Sequence, residues 1–165
     1  MKHVISILSA VILAVSILSS QTTVKMPPST VVVVQSKSQL SSAKLKTGQQ
    51  VVLYVATDVL VKGKKVIKAN TPVFCIIEDA ESAGMVGQGG RLTISIQSTT
   101  TVDGSTVALT GNFFTKGESK VGTSVAVGVI LCPLALLCKG DDGDIPAGAQ
   151  SRAFTIGEYE VNVSE

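Results

Sequence analysis

From Arg91 to Gln97 the chain alternates strictly, with Leu92, Ile94 and Ile96 apolar and Thr93, Ser95 and Gln97 polar. That period of two marks a strand with one face buried. Asp103-Gly104 follows, the dipeptide that supplies the φ > 0 residues of a two-residue hairpin turn. Setting Val102 opposite Ser105 puts Thr100 against Val107, Ser98 against Leu109 and Ile94 against Phe113. Leu92, Ile94, Ile96, Val107, Leu109 and Phe113 then share one face, and the threonines largely line the other. Turn chemistry and hydrophobic pattern agree on this hairpin.

The remaining pattern is also β-like. Val31 to Val34 are consecutive valines, and Val51 to Val55 form an apolar strand that Asp58 to Val61 extends. Residues 36–50 are rich in Ser, Lys and Gln with spaced Leu40 and Leu45, which fits a loop or one short helix. Lys62 to Lys65 and Lys68 to Pro72 are turns. Val73 to Ile77 is apolar at every position, as in a central strand covered on both sides. Near the end, Phe154 and Ile156 lie on one parity and Tyr159, Val161 and Val163 on the other. A bulge at Gly157 would put all five on one face. Two stretches echo each other, 66–73 and 144–149: each sets a hydrophobe, then a short turn, before a β run, as in barrels built from related halves.

Two long uncharged runs interrupt this pattern. The first lies in Met1 to Ser20, where Lys2 and His3 precede an apolar stretch and Ser19 and Ser20 supply small residues for cleavage. These are the parts of a secretory signal peptide, and the run is shorter than the ~20 apolar residues of a spanning helix. Residues 21–29, with Pro27-Pro28, then read as an extended linker, and 30–165 as one β-rich domain. The second run is Val121 to Cys138, bounded by Lys120 and Lys139 and near the lower edge of the ~17–25 residues of a spanning helix. Gly122, Gly128 and Pro133 weaken a helix there. A buried hairpin or helix closing the core, an arm facing a partner or lipid, and a membrane span are all open. On the arm reading, the contacts are Val125, Val127, Val129, Ile130, Leu131, Leu134, Leu136 and Leu137.

Composition narrows the chemistry. The one histidine of the chain is His3, so loss of the leader removes it. Ser-His-Asp and Cys-His catalysis, and His-ligated zinc, are thereby excluded. Formal net charge is only +2 and tryptophan is absent, so neither a basic surface for nucleic acid nor stacking platforms are expected. Three cysteines, 75, 132 and 138, leave at least one unpaired or paired between molecules, which keeps a homo-oligomer open. Cys75 sits among apolar neighbours as a small buried hydrophobe. Cys132 and Cys138 lie about 240° apart on a helix but can meet on a hairpin.

Three motifs touch on chemistry. The glycines of Gly84 to Gly90 precede a strand rather than a helix N-terminus, so they suit a flexible connection and not a phosphate cradle. Asp141, Asp142 and Asp144 cluster without calcium-loop spacing, which fits a solvated turn. Glu78, Asp79 and Glu81 are the acids that a histidine-free hydrolase would use. Glu81 can share the side of Asp79, but sugar-stacking aromatics are missing.

Gly89-Gly90-Arg91-Leu92, the Val102-Asp103-Gly104 turn and the stretch Leu136 to Gly148 resemble uncharacterised exported bacterial β-domain proteins across roughly residues 50–160. That resemblance implies a fold but no activity. The chain is more faintly similar to the outer-membrane β-barrel domain of type IV secretion channel scaffolds. There a turn like Ala69 to Pro72 precedes strands, a Gly-Gly-Arg-Leu strand and an Asp-Gly hairpin follow, and an apolar helical arm enters the membrane. The resemblance implies such a role for 121–138.

The expectation is an all-β protein, a small barrel or sandwich of seven to nine antiparallel strands with at most one or two short helices and one apolar hairpin or helical insertion. It is expected to be exported (periplasmic, outer-membrane-associated or secreted) and non-catalytic, without cofactor or metal. It would be a cell-envelope binding or assembly module that meets a protein or membrane surface and no nucleic acid. The alternative is the carboxylate-based hydrolase.

Overall fold

The computed structural model describes residues 21–85, 87–119 and 139–164. The signal peptide expectation for 1–20 and every expectation for 121–138, Cys132 and Cys138 included, fall outside them. Among the described residues there is no helix, and thirteen strands are present, more than the seven to nine expected because several are very short. Leu40–Ser41 and Asp144–Ile145 have two residues each.

The strands are β1 Gln21–Met26, β2 Val31–Gln35, β3 Leu40–Ser41, β4 Gln50–Val55, β5 Val59–Val61, β6 Lys64–Ile67, β7 Pro72–Glu81, β8 Arg91–Thr100, β9 Thr106–Thr110, β10 Asn112–Lys116, β11 Asp144–Ile145, β12 Gln150–Thr155 and β13 Tyr159–Ser164. Six of them run β8-β7-β4-β2-β12-β9, all antiparallel, and β9 pairs back onto β8 to close a barrel. A barrel, rather than a sandwich, is therefore the architecture, and closure removes the unpaired sheet edges. β10 extends the sheet beside the first half of β8. Inside lie Val32, Val34, Leu53, Val55, Val73, Ile77, Leu92 and Ile94, each fully shielded from solvent.

The hairpin read from the sequence is present with a different turn. Gly104 N–H donates to Thr101 O (3.1 Å) and Thr101 N–H to Ser105 O (2.9 Å). The loop is thus three residues, a type I turn closed by Gly104 at φ 85°. Pairing becomes Thr99 with Val107 and Ser98 with Ala108, one residue off the expected register. A register shift in the β7–β8 pairing leaves Gln97 without a partner on β7 and changes the parity of β8, so Ile96 and Thr99 both face inward. The two departures cancel. Leu92, Ile94, Ile96, Val107 and Leu109 are all buried, Phe113 packs against them half-buried, and Ile94 does oppose Phe113.

Three further expectations are corrected. Residues 21–26 are not a linker but β1, paired along its whole length with β13, with Val24 and Met26 turned into the core. Val73 to Ile77 is covered on one face only: Val73, Cys75 and Ile77 are buried, while Phe74 is 50% exposed. No bulge at Gly157 aligns the terminal apolar residues. β12 and β13 are separate strands in different sheets, and Phe154 and Ile156 point outward while Val161 and Val163 point in.

The sequence echo corresponds to a structural repeat. Asn70 N–H donates to Val55 O (2.8 Å) and Val55 N–H to Thr71 O (2.9 Å). The same pair of bonds joins Gly148 N–H to Ser36 O (2.7 Å) and Ser36 N–H to Ala149 O (3.1 Å). Asn70 and Gly148 both take positive φ, 65° and 83°. Unit β4-β5-β6-β7 thus repeats as β2-β3-β11-β12. Because β2 and β4 are antiparallel neighbours, the small pairs β5–β6 and β3–β11 close opposite ends of the barrel.

Candidate functional site

The residues expected to contact a partner, Val125 to Leu137, lie outside the described residues, but both flanks of that segment are described. They meet. Gly117 N–H donates to Gly90 O (2.9 Å), Gly90 N–H to Asp141 O (2.9 Å) and Asp141 N–H to Glu118 O (3.3 Å). Residues 117–118, 90 and 141 therefore form one hydrogen-bonded crossing, a neck at the β3–β11 end of the barrel. Gly140 N–H to Gly84 O (3.3 Å) and Ser119 Oγ to Gly87 O (3.3 Å) add the 84–87 loop to it.

The end of the glycine-rich stretch meets a packing demand here, shared with Gly117 and Gly140. A side chain on Gly117 would overlap the carbonyl oxygen of Asp141, and one on Gly140 that of Gln88. A Cβ on Gly90 would sit 2.7 Å from Glu81 O and 2.8 Å from Ser42 Oγ. Three chain segments pass so closely that only hydrogen fits between them. Gly90 belongs to a glycine run visible in the sequence, whereas the need for Gly117 and Gly140 depends on which segments cross.

The clustered aspartates serve the same structure. Asp142 is not simply a solvated turn residue: its Oδ1 accepts Ala83 N–H (2.7 Å), and its Oδ2 lies 3.6 Å from Lys139 Nζ. Asp144 Oδ2 accepts Gln39 Nε2–H (3.0 Å). Ser42, buried at the base, exchanges bonds with Gly143: Ser42 N–H to Gly143 O and Gly143 N–H to Ser42 Oγ, both 3.0 Å. Among the described residues, no group of three or more acidic, His or Cys side chains is arranged to hold a metal ion.

The hydrolase alternative needs two carboxylates facing each other across a cleft. Asp79 and Glu81 do share a side, as β7 geometry requires, but both turn to Arg91: Asp79 Oδ2 is 3.6 Å from its Nε and Glu81 Oε2 is 2.7 Å from its Nη2. A cleft of about 180 Å³ lies beside them, lined by Glu81, Gln88, Gly89, Arg91, Lys116 and Ser119. Asp79 does not line it, and Glu78 is solvent-exposed on the barrel's outer side. The acids make an ion-pair cluster at the neck, and among the described residues no second carboxylate lines the cleft with Glu81. Cys75 is buried in the barrel core, and burial pushes its thiol up to about 11, which suits a packing residue and not a nucleophile.

The outer wall carries a feature that alternation alone does not announce. Val52 and Phe74 are cross-strand partners, as are Gln50 and Ile76, and their outward side chains line a shallow depression with Gln97 and Ser98. The repeat places Val31 opposite Phe154 at the corresponding position on β2 and β12, again exposed. The β8–β9 side is instead lined by Thr, Ser and Gln. No protein-family model matches the chain, and no curated protein sequence matches it either.

Proposed function

We propose that this protein is a non-catalytic, exported cell-envelope module whose barrel holds residues 121–138 at one end for contact with a membrane or a protein partner. The single observation that carries the reading is the neck: Gly117 and Asp141, on the two flanks of the segment, are both hydrogen-bonded to Gly90, and Asp141 N–H donates to Glu118 O. An insertion whose ends are already joined is dispensable to the barrel, and eighteen uncharged residues on such an insertion need an apolar surface to meet. The faint similarity to secretion-channel barrels, which send an apolar arm into the membrane, favours the same role, and the leader favours export.

The test is excision. Replacing residues 120–138 with a short Gly-Ser link is expected to leave a folded barrel that co-sediments with cell membranes less than the parent chain does, most plainly in high salt. If the excised protein fails to fold, the segment belongs to the core and the proposal falls. It falls equally if the excised protein still sediments with membranes to the same extent. Fractionation of cells with a detergent wash checks the export and envelope parts independently.

A further inference from the structure

The β5–β6 pair, at the barrel end opposite the neck, carries an unbalanced charge. Between residues 58 and 68 the sequence is DVLVKGKKVIK, four lysines against one aspartate. Lys62 and Gly63 form the turn, both at positive φ (51° and 78°), so the chain reverses in two residues and Lys62 stands at the tip. Asp58 is occupied within the hairpin: its Oδ2 pairs with Lys65 Nζ at 2.6 Å and its Oδ1 accepts Ala69 N–H at 2.7 Å. One face of the pair is anchored, since Val59, Val66 and Ile67 are buried in the core. The other face presents Leu60, 60% exposed, directly across from Lys65.

We infer that the β5–β6 hairpin docks the protein on an anionic phospholipid surface, with Lys62 and Lys68 meeting the headgroups beside the Lys65–Asp58 pair and Leu60 entering the interface. Lysines near such a surface each add to binding through the surface potential, and an exposed leucine among them gains by leaving water. Nucleic acid fits less well. The lysines span a single short hairpin rather than a groove, no aromatic residue lies within 58–68, and a phosphate backbone has no use for Leu60. The docked barrel points its neck away from that lipid surface. β7 alone, running between the two ends, is about 30 Å of extended chain. The hairpin and the neck therefore face two different directions.

The experiment is sedimentation of the full chain with vesicles of one-third phosphatidylglycerol in phosphatidylcholine, compared with pure phosphatidylcholine. The expected result is excess binding to the anionic vesicles that weakens with added salt. The Lys62→Gln, Lys68→Gln double variant should reduce that excess by about fivefold per lysine, and Leu60→Ser by about fivefold. Lys44→Gln with Lys46→Gln removes the same charge from the 42–49 loop. That loop binds the far end of β7 through Gly48 N–H to Ile77 O and Ala80 N–H to Thr47 Oγ1, so this variant should leave the excess unchanged. Equal losses from both lysine pairs would mean net charge alone acts, and would overturn the inference. So would a DNA duplex binding as tightly as the vesicles without sensitivity to Leu60→Ser. Binding of equal strength to neutral and anionic vesicles would belong to the 121–138 segment and would also overturn it. Denaturant-dependent labelling of buried Cys75 confirms that each variant is folded.

Discussion

Gly117→Ala tests whether the neck is packed structure or slack loop. The new Cβ has to enter the space held by the Asp141 carbonyl, with the Asp142 carbonyl oxygen 2.7 Å away on another side. These are backbone atoms that no rotamer change can clear, so residues 139–142 or the 84–90 loop must shift. Three backbone hydrogen bonds meet at this point: Gly117 to Gly90, Gly90 to Asp141 and Asp141 to Glu118. Each is worth about 1 kcal/mol net. Restricting the unfolded chain by replacing glycine returns about 0.5 kcal/mol. The expected destabilisation is about 2–3 kcal/mol, a large share of the ~5–15 kcal/mol typical of a domain. Urea unfolding should show a lower midpoint with an unchanged slope. Gly157→Ala is the matched control, because its nearest neighbours are Tyr159 ring atoms at 3.7 Å, an ordinary contact. A Gly117→Ala cost below about 0.5 kcal/mol, or one equal to that of Gly157→Ala, would refute the packed-neck account.

Two further predictions rest on single side chains. Partial burial pulls the Asp103 carboxyl upward, but hydrogen bonds from Thr101 Oγ1, Asn162 N–H and Ser105 N–H outweigh it and hold the group at about 2, against an ordinary 3.8. Its stabilisation is therefore complete above about pH 4 and disappears as pH falls through about 2. For an exposed group it is discounted to about 1 kcal/mol. Asp103→Asn should flatten that part of an acid-titration stability curve, and an unchanged curve would contradict the assignment. Cys75, with its thiol at about 11 and its side chain 1% exposed, should react with a thiol reagent only as fast as the barrel opens. Labelling at Cys75 that ignores added denaturant would show that the core admits reagent locally.

The inward faces were legible because alternation reports which residues seek the core. Alternation places Leu92, Ile94, Ile96, Val107 and Leu109 inside even though Asp103-Gly104 predicts a turn one residue shorter than the one formed. The bulge at Gln97, which has no sequence signal of its own, restored the parity. β1 was obscured by Pro27-Pro28, yet Val24 and Met26 already alternate with polar neighbours and both are buried. The misreading of Val73 to Ile77 has a different cause: Phe74 and Ile76 are outward, and apolar residues on the outer wall erase the polar half of the pattern. The neck was illegible for a topological reason. Gly90, Gly117 and Gly140 come from segments far apart in sequence, and only the closed barrel brings their backbones together. The repeat was legible because turn geometry is local, and Asn70 and Gly148 each satisfy a positive-φ position that few residues tolerate.

The pairing of β1 with β13 and the seat of β12 between β2 and β9 govern how the chain can acquire its shape. The first described strand waits for the last one, since Gln21 lies opposite Ser164 and Met26 opposite Tyr159. Until residues 150–155 emerge from the ribosome, β2 and β9 have exposed edges and the barrel stays open along one seam. Closure thus joins strands far apart in the sequence, the slow kind of folding step dominated by distant contacts. A chain lacking residues 150–165 would carry two sticky strand edges, on β2 and β9, in place of a sealed wall.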